Sequence, residues 1–158
     1  MNSNFDLIIR NASVIDGSKA PRFQADIGIR ADKIAAVGQL EGARADNELD
    51  ATGLVAAPGF IDAHTHDDRL LLSAPEMTPK LSQGVTTVVV GNCGISLAPL
   101  EWSSARGAMP PPLDLLDDGT WFRFGSFAAY LDELRAHPAA INAACLVGHS
   151  TLRIQTMH

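Results

Sequence analysis

Two histidines and one cysteine are the residues of this chain whose types and spacing could do chemistry. His64 and His66 flank Thr65 directly after an apolar run, and Cys93 follows a second apolar run 27 residues after His66. Side chains two residues apart on a strand point to the same face, about 6.6 Å apart along it. Two imidazoles so placed can both reach one cation at about 2.1 Å. The pair therefore predicts a metal site; the plainer alternative is two neutral imidazoles that hydrogen-bond at a strand end or lie in a loop.

Cys93 lies in a Gly-Asn-Cys-Gly turn just after a β-branched run at residues 85–90. Its distance from the histidines is close to one βαβ repeat of about 30 residues, which places the two strands side by side with their carboxyl ends together. A thiolate is a strong zinc ligand, and flanking glycines let the backbone turn sharply to present it. The alternative is a small apolar residue in a tight turn. Because the histidines are near, we expect His64, His66 and Cys93 to hold one ion.

Other residues near the strand ends are weaker candidates. Asp67 and Asp68 follow the histidines directly, where either could accept a hydrogen bond from an imidazole or cap the next helix. His149 follows the third apolar run, where it either orients substrate or supports the metal, or is an ordinary hydrogen-bonded rim histidine. Cys145 lies inside that run, and we predict it to be a core residue.

The N-terminal third of the chain predicts a small sheet. Short strand-like segments between Phe5 and Leu54 are separated by Asp-Gly and lone glycine turns, which is typical of hairpins. Such a segment is too short to close a stable sandwich by itself, so we expect residues 1–54 to be one part of a small β-sandwich.

The remainder, residues 55–158, predicts an α/β arrangement. Apolar runs at 54–63, 85–90 and 140–147 alternate with a helix that ends near Gly84 and a helix over 127–136 with Ser126 as its N-cap. This alternation predicts a parallel sheet with helices outside it. An insertion over about 97–125 is either a substrate cover or a surface excursion held by its aromatic residues.

Composition and charge exclude several classes of function. The chain has 158 residues, of which 46% are hydrophobic and 19% charged, as in an ordinary globular protein. A formal charge of -6 leaves no cation surplus for a nucleic-acid partner. No stretch approaches the ~20 apolar residues of a transmembrane helix, and no signal-peptide pattern opens the chain, so we expect no membrane partner. Only two cysteines are present, which favours a reducing cytoplasm.

Residues 58–66, Pro-Gly-Phe-Ile-Asp-Ala-His-Thr-His, resemble the metal-dependent amidohydrolase superfamily, whose members carry such a His-x-His on the first strand of a (β/α)8 barrel. Together with residues 91–94, Gly-Asn-Cys-Gly, and residues 146–153, Leu-Val-Gly-His-Ser-Thr-Leu-Arg, the chain is similar to the N-acyl-D-amino-acid deacylase (D-aminoacylase) family. The resemblance implies an α/β fold class. The fold would be a partial (β/α)8 TIM-type barrel, its first three βα units, preceded by the N-terminal portion of a small β-sandwich.

The resemblance also implies the cofactor and its ligands. In that family the cysteine is a metal ligand where many relatives use a carboxylated lysine, and the two histidines form part of a second, weaker metal position. Zinc is the expected ion, in one tight site and a second weaker site held by His64, His66 and Cys93. Asp68 and His149 remain candidates for contact with substrate or for support of the ligands.

A barrel of this type needs roughly 250 residues, so we expect the chain to be a fragment that lacks its C-terminal part. The resemblance places the further histidine ligands and the general-base aspartate beyond residue 158, which leaves no catalytic residue in this segment.

The activity implied by the resemblance is zinc-dependent hydrolysis of a linear amide. A small-molecule N-acyl-D-amino acid would be deacylated to a D-amino acid and a carboxylate by the full-length form, and we expect the 158 residues alone to be inactive. Two alternatives remain open. Another amidohydrolase that opens cyclic amides or imides would keep the histidines but normally has no cysteine at position 93, and a non-catalytic binding protein could use the same fold.

Overall fold

A computed structural model of the chain describes residues 5–157, which form two compact units that divide after Pro58. The first unit is a five-stranded mixed sheet in which β1 is central, antiparallel to β2 and parallel to β4 and β5. Its strands are β1 (Phe5–Val14), β2 (Phe23–Arg30), β3 (Lys33–Gly38), β4 (Ala45–Asp50) and β5 (Val55–Ala56). The consecutive antiparallel pairs β1–β2 and β2–β3 confirm the predicted hairpins.

The apolar run at 54–63 does not form the single buried strand that its composition predicts. Val55–Ala56 pairs with β1 in the first unit, and residues 57–59, which include Pro58, belong to no strand before β6 begins at Phe60. Proline has no N–H to donate to a ladder, so it separates the two strands. The sequence predicts a domain boundary after residue 54, and the two compact units divide after Pro58.

The second unit contains a parallel sheet with helical segments between its strands. Strand order is β10-β7-β6, so β7 is central, and β8 and β9 form a separate antiparallel pair. The elements are β6 (Phe60–Asp62), α1 (Leu70–Ser73), α2 (Thr78–Leu81), β7 (Val85–Val90), β8 (Leu100–Glu101), β9 (Arg123–Phe124), α3 (Phe127–Ala136), β10 (Asn142–Cys145) and α4 (His149–Thr156). No helix within residues 5–157 is both long enough and apolar enough to cross a bilayer.

The central strand β7 and the longest helix α3 have the bounds that the sequence predicts, 85–90 and 127–136. β7 is rich in β-branched valine and threonine, which suits a strand, and Val88 and Val90 on one face are fully buried. The Ser126 side chain caps α3 by accepting a hydrogen bond from the backbone N–H of Ala129 at 3.1 Å. The flanking strands are less buried than predicted, because β6 and β10 are the edges of the described sheet; Phe60, for example, is 65% exposed.

The insertion over 97–125 is built around its own apolar core. β8 pairs with β9, so the two ends of the insertion are held side by side. Tyr130 of α3 joins this core, which is why the insertion packs on the helix. Of the two predicted alternatives, this arrangement favours a surface insertion that is held by its own apolar and aromatic side chains. The buried members are Ile95, Leu97, Ala98, Leu100, Met109, Leu113, Leu116, Phe122, Phe124 and Tyr130.

Two glycines allow the backbone of the loop after β7 to pack directly against the backbone of the loop after β10. Gly91 has a φ of 81°, and a Cβ there would overlap the carbonyl oxygen of Leu146. A Cβ on Gly148 would lie 2.5 Å from the carbonyl oxygen of Gly94. The loop that carries Cys93 is therefore fixed against the loop that precedes α4.

We expect Gly91→Ala to lower the free energy of unfolding of the second unit by more than about 2 kcal/mol, because it combines left-handed backbone strain with overlap of a main-chain oxygen. Gly107→Ala is the matched control, since Gly107 also has a positive φ (88°) but no atom within 4 Å of the added Cβ. It should cost only about 1 kcal/mol. Urea unfolding followed by tryptophan fluorescence measures both, because both tryptophans lie in this unit. Equal losses for the two variants would contradict the close approach of the loops.

Candidate metal centre

Residues 62–67, here called the histidine segment, continue alongside β7 after β6 has ended at Asp62. The backbone N–H of Thr65 donates to the carbonyl oxygen of Val89 at 3.1 Å, and Thr65 is buried. His64 and His66 therefore lie beyond the strand, in the loop, as in one of the alternatives left open by the sequence. Their ring centroids are 5.7 Å apart and the ring planes are nearly perpendicular, at 83°.

Cys93 is presented by a sharp turn at the end of β7. It lies in a 3-10 turn, Asn92–Gly94, with a φ of 54° and a ψ of 19°. A left-handed conformation is costly for a residue with a Cβ and is retained mainly where the surroundings impose it, often at functional sites. The Sγ atom of Cys93 lies 2.9 Å from Nε2 of His64, so the turn brings the sulfur to the histidine segment.

His64, His66 and Cys93 together form a cluster that fits a metal ion. One ligand atom from each residue lies within 4.8 Å of the others. Two imidazole nitrogens and one sulfur are a donor set that zinc prefers in tetrahedral sites. The Nδ1 atom of His66 is buried and has no hydrogen-bond partner among residues 5–157. A buried polar atom without a partner is unfavourable unless a ligand meets it, which supports the fit of an ion here.

Asp68 connects the histidine segment to the turn that carries Cys93. Its side chain is 1% exposed, and its carboxylate accepts a hydrogen bond from the backbone N–H of Gly91 at 3.3 Å. The hydroxyl of Tyr130 donates to the backbone carbonyl of Asp68 at 2.9 Å. Burial raises the pKa of Asp68 to about 6. Asp68 thus bonds to the backbone of the neighbouring loop, whereas the sequence suggested an imidazole partner or a helix cap.

Lys80 contacts the other side of the histidine segment, and sequence reasoning missed it. Its Nζ lies 2.6 Å from Oδ2 of Asp62 and 3.0 Å from Oδ2 of Asp67. The hydrogen bond between Lys80 and Asp62 raises the pKa of the lysine and lowers that of Asp62, so both are charged at neutral pH. A lone lysine in a predicted helix has no distinctive sequence pattern.

The remaining candidates lie outside the cluster. Cys145 is half-buried between two apolar clusters, as expected of a packing residue, and burial raises the pKa of its thiol to about 11. His149 is exposed and begins α4; its backbone nitrogen lies 3.9 Å from the position of a Cβ on Gly94. The structure therefore places His149 next to the turn of Cys93, but its side chain is not part of the three-residue cluster.

Comparison with known proteins extends these observations. A sequence profile described as the amidohydrolase family matches residues 47–158. The chain belongs to the amidohydrolase family. D-aminoacylase from Alcaligenes xylosoxydans xylosoxydans is 61% identical over 153 residues, which cover 97% of this chain and 31% of that protein. The chain thus spans about a third of the length of this curated amidohydrolase relative.

Two solved structures are similar to this amidohydrolase chain. A D-aminoacylase, solved in a study of its binuclear metal centre, matches with a TM-score of 0.91 and 58% identity, covering 97% of this chain and 31% of that one. An N-acyl-D-glutamate deacylase from Bordetella bronchiseptica, complexed with zinc and a phosphonate inhibitor, matches with a TM-score of 0.88 and 44% identity, covering 98% and 31%. The chain therefore has the fold of the corresponding part of these enzymes, and the sheets within residues 5–157 do not close into a barrel.

The two cysteines should differ strongly in reactivity. We expect iodoacetamide at pH 7.5 to modify Cys93, which is exposed, at least about ten times faster than Cys145, because a raised pKa leaves little of the Cys145 thiol as the reactive thiolate. Zinc should slow modification of Cys93 and leave Cys145 unchanged. Peptide mass spectrometry measures both rates, and Cys93→Ser isolates the rate of Cys145. Fast modification of Cys145, or Cys93 unprotected by zinc, would contradict this description.

Proposed function

We propose that this chain supplies the metal-binding part of a zinc-dependent hydrolase of linear amides, which converts an N-acyl-D-amino acid to a D-amino acid and a carboxylate. One observation carries the proposal. The ligand atoms of His64, His66 and Cys93 lie within 4.8 Å of one another in a chain that is 61% identical to a D-aminoacylase. The two free cysteines fit a reducing compartment such as the cytoplasm, where we place the enzyme.

The proposed fold of the whole enzyme is a (β/α)8 barrel whose first three strands are β6, β7 and β10. They are parallel neighbours with helices between them, and the candidate residues follow their carboxyl ends, where TIM-barrel enzymes place their sites. In this proposal residues 59–158 begin the barrel, and residues 5–58 are part of a small β-sandwich. The remaining strands belong to the part of the relatives' length that this chain does not span.

His64, His66 and Cys93 would hold zinc in one tight site and a second, weaker site, and the two histidines would form part of the weaker one. A zinc ion there would supply Lewis-acid chemistry, which activates water and polarises the amide carbonyl. The thiolate of Cys93 contributes negative charge to the donor set. Asp68 holds the Cys93 turn in place through the N–H of Gly91. We propose that His149, which is exposed beside that turn, contacts the substrate.

We assign no general acid or base within residues 5–157. Asp62 and Asp67 are paired with Lys80, and the carboxylate of Asp68 is buried against the backbone N–H of Gly91. A group so committed is poorly placed to shuttle a proton to a leaving amine. The general-base aspartate is one that the family resemblance implies; we propose that it lies outside this segment and that the 158 residues bind zinc without deacylating a substrate.

A chimera tests this function. We expect Alcaligenes D-aminoacylase, with its matching segment replaced by this chain, to hydrolyse N-acetyl-D-leucine and not N-acetyl-L-leucine. Cys93→Ala or His64→Ala in the chimera should lower kcat/KM at least about 100-fold together with the bound zinc, because each removes a ligand. Cys145→Ala is the control and should retain activity, since Cys145 lies outside the cluster.

Enzyme assays with measured zinc content decide the outcome. A folded chimera that binds zinc but hydrolyses neither substrate would contradict the proposed function. An active chimera whose Cys93→Ala variant keeps its zinc would contradict the proposed ligand set. Deacylation by the 158 residues alone would contradict the placement of the general base.

A further inference from the structure

Lys80 reaches the histidine segment at both of its ends and near its middle. Asp62, two residues before His64, and Asp67, one residue after His66, both place a carboxylate oxygen within 3.0 Å of the lysine Nζ. The hydroxyl of Thr65, which lies between the histidines, is 3.4 Å from the same atom. Asp62 and Thr65 accept hydrogen bonds from the ammonium group of Lys80, and Asp67 forms an ion pair with it; all three residues belong to this one segment.

The lysine is itself fixed to the body of the second unit. It lies within α2, where its backbone N–H donates to the carbonyl oxygen of Met77, the residue before the helix, at 3.0 Å. Met77 is 3% exposed and packs in the cluster that covers Val88 and Val90 of β7. The Nζ atom therefore connects the histidine segment to a packed part of the fold, and its side chain is only 25% exposed.

The contact with Asp62 extends to the backbone of His64. One carboxylate oxygen of Asp62 is bound to Lys80, and the other accepts a hydrogen bond from the N–H of His64 at 3.3 Å. The lysine thus sets the orientation of a carboxylate that in turn holds the first histidine. On the far side of the segment, the N–H of Thr65 is bound to the carbonyl oxygen of Val89.

We propose that Lys80 is a positioning residue for the metal centre: it holds residues 62–67 in the conformation in which His64 and His66 converge with Cys93. The role in zinc binding rests on the proposed function. The role in fixing the segment does not, because it follows from the contacts of Lys80 with Asp62 and Asp67.

Geometry and electrostatics predict opposite effects when this lysine is neutralised. Removal of a positive charge next to the site leaves Asp62 and Asp67 unbalanced, and their negative charge alone would attract a divalent cation more strongly. Loss of the conformation of the segment would instead weaken binding, as substitution of groups that orient metal ligands commonly does, by about 10- to 100-fold. The direction of the change therefore separates the two effects.

Zinc affinity of the full chain, measured by competition with a chelator of known affinity, tests the consequence for the metal. We expect Lys80→Met to weaken zinc binding about 10- to 100-fold, and Lys80→Arg, which keeps the charge and donors, to stay within about threefold of the unsubstituted chain. Lys33→Met is the matched control, because Lys33 is exposed in the first unit, and it should leave the affinity unchanged. Unchanged or tighter binding by Lys80→Met would overturn the proposal.

Hydrogen exchange of the metal-free chain tests the segment directly. We expect Lys80→Met to speed exchange of the amides of His64 and Thr65, while the amides of β7 exchange as before. Faster exchange throughout the parallel sheet would mean that Lys80 contributes only general stability, and would overturn the proposal. If the unsubstituted chain bound no zinc, the proposed function would fail, and the exchange pattern would still support or overturn the role of Lys80 in holding the segment.

Discussion

The proposed metal centre depends on the backbone hydrogen bonds that continue along β7 beyond the ends of its neighbours. Asp62 is paired with Val88, and after β6 ends the N–H of Thr65 still donates to Val89. On the other edge the N–H of Leu146 donates to Val90 at 3.0 Å. These bonds bring the loops after three parallel strands together at the carboxyl ends of those strands. Side chains that are far apart in sequence can bind one metal ion there.

Polar groups behind the candidate ligands then fix the loops themselves. Asp68 is buried and holds the Cys93 turn, whereas Lys80 pairs with the carboxylates on either side of the histidines. Hydrogen bonds in a partly buried setting are strong and specify one arrangement, provided that the partners are satisfied. The candidate ligands, of which His64 and Cys93 are exposed, thus remain accessible while their supports are held in the packed part of the unit.

Local patterns in the sequence predict the elements that position the site. The β-branched run of β7, the capped helix α3 and the spacing between the histidines and the cysteine each have a short-range physical cause. Features that depend on distant partners could not be predicted in this way. The apolar run at 54–63 is divided between two sheets on either side of Pro58, and Lys80 has its role only because Asp62 and Asp67 lie against it.

X-ray absorption spectroscopy of the zinc-loaded chain tests the central claim most directly, because it counts the atoms bound to the ion. The convergence of His64, His66 and Cys93 predicts one sulfur at about 2.3 Å and imidazole nitrogens at about 2.0–2.1 Å. The sulfur contribution should disappear in Cys93→Ser. A shell of nitrogen and oxygen alone, or a sulfur contribution that survives in Cys93→Ser, would contradict the account.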